Sequence, residues 1–206
     1  MPRLKLIIAP SVEPITLVEA RDHLHLDASG SPLSHPDDTL ISSLIVAVRN
    51  HIDGADGYLG RALIPQTWEL YLDEFSSDEI YIPLPRLVSI TSVKYDDING
   101  AEQTVSSGDY VVDSVSEPGW VLPVSTFSWP DTMDTPNAVR IRYQAGYVSG
   151  NSPEDASKVP EAIKAAMKLM LGRLYEFRED TISGTIIAKL PDGIEALLNP
   201  YRIWRF

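Results

Sequence analysis

The sequence predicts an α+β fold, a helical bundle core carrying an inserted small antiparallel β module. Three observations predict it. Near both ends of the chain, apolar residues recur at three- and four-residue steps, the spacing of a buried helix face. Between residues 64 and 150 the period falls to two, broken by Gly, Pro and Asn-Gly turns, as in short strands joined by tight connections. Charge divides in the same place: residues 64–150 hold four basic and thirteen acidic side chains, a net of −9 out of −12 for all 206 residues. The expected boundaries are 1–63 with 151–206 for the helical part and 64–150 for the β module.

The opening residues are extended. Thr16-Leu17-Val18-Glu19 then forms a capping box, in which the Thr16 hydroxyl accepts from the Glu19 backbone and the Glu19 carboxylate reaches back. A short helix follows, to about Leu24 or Leu26. Residues 27–36 are turn formers without periodicity and predict a loop. Asp37 and Asp38 favour the positive end of a second helix, whose apolar face runs from Leu40 and Ile41 through Ile45, Val48 and Ile52 to Leu59. Gly54 and Gly57 weaken its end and mark a close crossing or a kink.

Strands are predicted at 68–72, 80–82, 88–95, 110–113, 120–122 and 139–143. Asn99-Gly100 supplies a hairpin turn, and Pro83 and Pro85 belong at strand ends or on an edge. Together they make a small antiparallel sheet or partial barrel. Helix returns at Pro160, a residue suited to a first turn because its missing N–H is not needed there. Ile163, Ala166, Met167, Met170, Leu171, Leu174, Tyr175 and Phe177 cover more than one face of it, with Ile163, Met167, Met170 and Leu174 as the expected seam. This helix is therefore expected between neighbours, at a seam between helices or subunits, with Gly172 admitting another backbone. Asp192 caps a last short helix that Asn199-Pro200 ends.

Composition excludes several chemistries. Cysteine is absent, which removes disulfides, thiolate catalysis and Cys-ligated metals. The acidic balance argues against a free-standing binder of nucleic-acid backbone, since that affinity comes largely from Lys and Arg. Residues 1–8 start like a signal peptide, but Pro10, Glu13 and Pro14 break the apolar run. No apolar stretch approaches the roughly 18 residues of a membrane span. The expectation is a soluble protein of a reducing compartment, with no membrane partner.

Motifs for nucleotide, hydrolase or zinc-protease chemistry are missing. His23 and His25 point apart on a helix, and His35 and His51 lack a ligand-spaced partner. Asp96-Asp97-Ile98-Asn99-Gly100 clusters oxygen ligands but lacks the remaining calcium-loop spacing, so it reads as a hairpin turn. Asp73, Glu74, Asp78 and Glu79 read as a solvated acidic rim. A small carboxylate-based hydrolase drawing on them is the alternative, and it needs two convergent carboxyls with separated proton affinities. Phe127 and Trp129 read as closing the β core or a subunit contact. No cofactor, metal or catalytic residue is expected.

The C-terminal segment stands out: Tyr201, Arg202, Ile203, Trp204, Arg205 and Phe206 combine aromatic and basic side chains at a position that is normally polar. Tyr, Trp and Arg are the residue types richest in interface hot spots. Folding back onto its own domain and docking into a partner both remain open.

Marks spread along nearly the whole chain carry a resemblance. They include Pro14-Ile15-Thr16-Leu17-Val18-Glu19-Ala20, Asp37-Asp38-Thr39-Leu40-Ile41 and Gly60-Arg61-Ala62-Leu63-Ile64-Pro65. Further on come Ile80-Tyr81-Ile82-Pro83-Leu84-Pro85-Arg86, Arg142-Tyr143-Gln144-Ala145-Gly146-Tyr147, Val159-Pro160-Glu161-Ala162-Ile163 and Leu197-Leu198-Asn199-Pro200-Tyr201-Arg202. In this order and spacing the sequence resembles the head–tail connector (adaptor) proteins of tailed phages and prophages, an architecture also used in gene transfer agents. The resemblance implies a ring, commonly of twelve copies, beneath the portal. It would be assembled in the bacterial cytoplasm, sit in the particle neck and complete the channel for double-stranded DNA. The implied partners are further copies of the chain, the portal protein and a downstream neck or tail protein, while DNA passes without specific binding. Residues 201–206 would reach the portal. Carboxylates of the β module, if they line the lumen, would repel DNA over about 10 Å. Another neck component, a stopper or tail-completion protein, is the second alternative.

Overall fold

The computed structural model describes residues 3–29, 33–77, 79–147, 156–177 and 192–203. It is an α+β protein of two compact units. One comprises residues 1–11 with 61–154, the other 12–60 with 155–206.

The first unit holds the strands β1 (Arg3–Ile8), β2 (Gln66–Leu72), β3 (Ile80–Ile82), β4 (Leu87–Asp96), β5 (Glu102–Val105), β6 (Tyr110–Asp113), β7 (Gly119–Pro123) and β8 (Val139–Ala145). They form two antiparallel sheets rather than one, a five-stranded sheet β1-β2-β8-β4-β5 and a three-stranded sheet β3-β7-β6. Two sequence features are corrected here. Residues 3–8, grouped with the helical part, are the edge strand of the larger sheet, paired to β2. Residues 102–105, polar except for Val105, complete the Asn99-Gly100 hairpin as β5.

Alternation sets the two faces of the large sheet. One row, Leu4–Leu70–Ile141–Val93–Val105, crosses all five strands on the inner face. Central β8 alternates strictly, burying Val139, Ile141, Tyr143 and Ala145. Its intervening Arg140 and Arg142 stand on the opposite face, where Arg142 pairs with Glu69 at 2.8 Å and Arg140 with Asp96 at 2.7 Å and Glu102 at 3.1 Å. Ionic pairs thus cover the side that the core leaves open.

Turn chemistry places the edges. At the β4–β5 hairpin Gly100 takes φ +80°, which an L-residue adopts only with strain, and Asp97 accepts from the backbone N–H groups of Asn99 and Ala101. These bonds commit the cluster Asp96–Gly100 to the hairpin. Pro83 and Pro85 fall between β3 and β4, outside any ladder.

The second unit contains α1 (Leu17–His23), α2 (Asp38–Ile52), α3 (Glu161–Glu176) and α4 (Asp192–Leu198). The capping box at Thr16 and Glu19 is present in full. Helix α2 ends seven residues before the predicted stop: Gly54 turns to φ +82°, and a Cβ at Gly57 would lie 2.3 Å from the Asp53 carbonyl oxygen. The apolar period that continues through Ala55 and Leu59 therefore runs along a turn. Helix α3 contacts α1, α2 and α4. Gly172 admits the side chains of His23 and Leu24 rather than another backbone. The side chain of Asp192, the predicted cap of α4, lies outside the described residues.

Candidate interaction surfaces

Helix α3 separates the four residues expected at a seam. Ile163 and Met167 are fully buried and Met170 nearly so, all within their own unit, because α1, α2 and α4 pack around this helix. A neighbouring subunit therefore cannot reach those three without displacing the core. Leu174 is exposed, as are Leu169 and Phe177 on the same helix and its C-cap.

The described part of the C-terminal segment folds back onto its own unit. The Ile203 amide donates to the Leu59 carbonyl at 2.8 Å, and the Arg202 guanidinium lies 4.2 Å from the centre of the Tyr58 ring. The Tyr58 hydroxyl in turn donates to Asn199 Oδ1 at 2.9 Å. Gly60 sits beneath, where a Cβ would stand 3.3 Å from the Ile203 carbonyl oxygen. Tyr201, Arg202 and Ile203 are thus half-buried. Trp204, Arg205 and Phe206 lie outside the described residues.

Among the described acidic residues of the rim, Asp73 is held in the charged form. Asp73 accepts from the Asn137 backbone N–H and from Arg3; the first contributes most, and together they hold its carboxyl below the usual range despite partial desolvation. A general acid needs the opposite shift. Glu74 and Glu79 are exposed, and Asp78 lies outside the described residues. Among the described residues no three His, Asp or Glu side chains converge as a metal site, and no helix is long and apolar enough to cross a membrane. Phe127 and Trp129 join an aromatic cluster within the β unit: Trp129 stacks on Phe75 at 4.6 Å, and Phe75 meets Tyr95 edge-on at 5.7 Å.

A buried polar cluster was not anticipated from the sequence. Arg61, only 4% exposed, donates to the Tyr147 hydroxyl at 2.6 Å and to Glu117 at 3.1 Å. Glu117 accepts from Arg86 at 2.9 Å, and Arg86 also lies over the Tyr147 ring at 5.4 Å. Three of the quoted motif segments, those with Arg61, Arg86 and Gly146-Tyr147, therefore meet around one carboxylate. Gly146 is needed there, because at φ +138° a Cβ would fall 2.6 Å from the Ile64 carbonyl carbon. A signal did exist: Arg61 heads the apolar run Ala62-Leu63-Ile64, where a charge must find partners. This cluster holds the β6–β7 connection at Glu117. At the start of that connection Asp113 accepts from the Val115 and Ser116 amides.

The three-stranded sheet leaves one face open. Tyr81, Trp120 and Asp113 form one row across it, and the next row pairs Leu122 with Val111. Tyr81 is 59% exposed, Val111 45% and Val115, at the tip of the β6–β7 connection, 90%.

By sequence, the chain matches no family model and no curated protein. Its fold does match solved structures along almost its entire length. A chain in a structure of the virion of a native gene transfer agent particle is 21% identical, with TM-score 0.69 over 98% of this chain and 96% of that one. A chain in the neck of an empty gene transfer agent particle, computed with C6 symmetry, is 23% identical, with TM-score 0.72 over 99% and 97%. A third, in the neck of the native particle computed with C12 symmetry, is 21% identical, with TM-score 0.66 over 99% and 97%. At these identities, what the chains share is the fold.

Proposed function

We propose that this protein is a structural head–tail connector, an adaptor in the neck of a phage or gene-transfer-agent particle that joins the capsid portal to the tail and completes the DNA channel. One observation carries the reading: the whole chain, both units included, has the fold of chains in gene transfer agent necks. The role is mechanical, and Asp73 serves it structurally, bonded to Arg3 and to the Asn137 amide.

A closed ring of identical copies needs a heterologous interface, in which two different faces of each subunit meet. The symmetry of the native neck structure supports twelve copies. Helix α3 contributes to the seam through its exposed residues Leu169, Leu174 and Phe177, while Ile163, Met167 and Met170 hold the helix in place from within. The portal contact falls to the C-terminal segment. Arg202 and Ile203 anchor it to Tyr58 and Leu59, so Trp204, Arg205 and Phe206 are the part assigned to the portal.

The test is capture by immobilised portal protein. A chain ending at Ile203 should keep its fold by circular dichroism and bind at least about tenfold more weakly, the scale of losing one aromatic or Arg anchor. Unchanged capture of the shortened chain overturns the assignment of the last three residues. Failure of the full chain to bind portal or to form rings on it overturns the connector reading.

A further inference from the structure

We propose that the turn end of the β4–β5 hairpin, with the loop at residues 131–134 packed beside it, holds the tail-side neck protein, which meets it with a basic face around an apolar recess. The inference rests on the connector reading above and names the second of the two surfaces that a connector needs.

The apolar part of this surface is small and fixed. Ile98, in the turn between Asp97 and Asn99, is 70% exposed, and Met133 is 42% exposed. The Met133 amide donates to the Asp96 carbonyl at 2.9 Å, and a Cβ at Gly100 would stand 3.5 Å from the Met133 sulfur. Trp129, stacked on Phe75, anchors the start of the same loop. Side chains displayed on backbone that is already ordered lose little further freedom on binding.

Around them the charge is acidic. Residues 95–139, which include the turn and the loop, hold eight Asp or Glu and not one Lys or Arg. Two basic side chains reach the hairpin from β4 and β8, Lys94 and Arg140, and they pair with Glu102 and with Asp96 and Glu102 respectively. Asp97, and the exposed Asp131 and Asp134, form no ion pair among the described residues. Five carboxylates against two bases leave this end of the hairpin at −3.

Charge then decides the occupant. Duplex DNA is repelled. A second copy offers little to match the carboxylates, because seven of the nine described Arg side chains are paired with acids of their own chain. Lys5, Lys158 and Lys168, the described lysines outside ion pairs, lie on β1, in the turn before α3 and on α3. The portal contact is assigned to the C-terminal segment. The partner that remains for a connector is the protein on its other side, steered by a basic face and seated by Ile98 and Met133.

The test loads portal rings with this protein, adds the purified tail-side neck protein of the same particle, and measures its co-sedimentation over a salt series. Ile98→Ser should weaken binding about tenfold. Asp131→Lys combined with Asp134→Lys should weaken it at least about tenfold at low salt, and less at high salt. Asp27→Lys and Val115→Ser, matching changes at exposed residues elsewhere, should leave it unchanged. All of these side chains are exposed, so circular dichroism should show the parent fold throughout. Tail-side binding indifferent to both hairpin changes overturns this inference and leaves the connector reading standing, as does loaded portal that retains no tail-side protein. Loss of portal loading or of rings in the hairpin variants also overturns it, by giving the surface to the portal or to a second copy. Failure of the unmodified chain to load onto portal overturns the connector reading itself.

Discussion

Tyr143 occupies the centre of the β unit. It is fully buried on β8, between Trp68 and Ile90 in the ladder, and its hydroxyl has no hydrogen-bond partner among the described residues. Burial pushes its phenol far above the usual value, so the group is neutral throughout the accessible range. An unpaired buried hydroxyl costs about 1–3 kcal/mol of desolvation, and the ring fills the same space without it. Tyr143→Phe should therefore raise the stability of the β unit by about 1 kcal/mol. Denaturant unfolding followed by tryptophan fluorescence measures this, and a lower midpoint would show that the hydroxyl is partnered in solution. Arg61 is the contrasting case, buried and bonded to Tyr147 and Glu117.

At the scale of elements, the β4–β5 hairpin is governed by Asp97. Its carboxyl is held below the ordinary range, chiefly by the Ala101 N–H and then by Gln103 and Asn99. For a depressed carboxyl, the stabilisation is complete above the unfolded value of about 3.9 and is lost as pH falls through the lower folded value. Asp97→Asn should accordingly lower the melting temperature at pH 7, while at pH 2 the variant and the parent chain should melt nearly together. A gap that persists at pH 2 would assign the effect to something other than the charge.

Elements of this kind were legible because their signals are local. The Thr16–Glu19 box, the Asn99-Gly100 turn, and the bounds of β3 and β6 each follow from a few adjacent residues. What the sequence hid depends on distant partners. Strand β1 is recognised only through β2, which lies some sixty residues away, and β5 carries no alternation of its own. The seam residues show a related limit. Periodicity identified Ile163, Met167 and Met170 as buried, but could not say whether the covering surface belonged to the same chain. Arg61, Arg86, Glu117 and Tyr147 likewise pair across spans of 31 to 86 residues, beyond any window of pattern.

For the whole molecule, net charge is the governing quantity. A subunit of −12 repels duplex DNA at distances up to about a Debye length, and the described basic residues are largely committed to internal pairs. The isolated protein should therefore leave the electrophoretic mobility of a duplex fragment unchanged at physiological salt. Retardation that disappears with added salt would reveal a basic surface and count against passive passage through the channel.

Because β1 precedes the helices and the other seven strands follow α2, the backbone passes from one unit to the other three times, near residues 11, 60 and 154. Neither unit is then a single uninterrupted stretch of sequence, and no one cut in the chain frees it. Transplanting residues 61–154 alone would leave β2 as a bare, unprotected margin of its sheet.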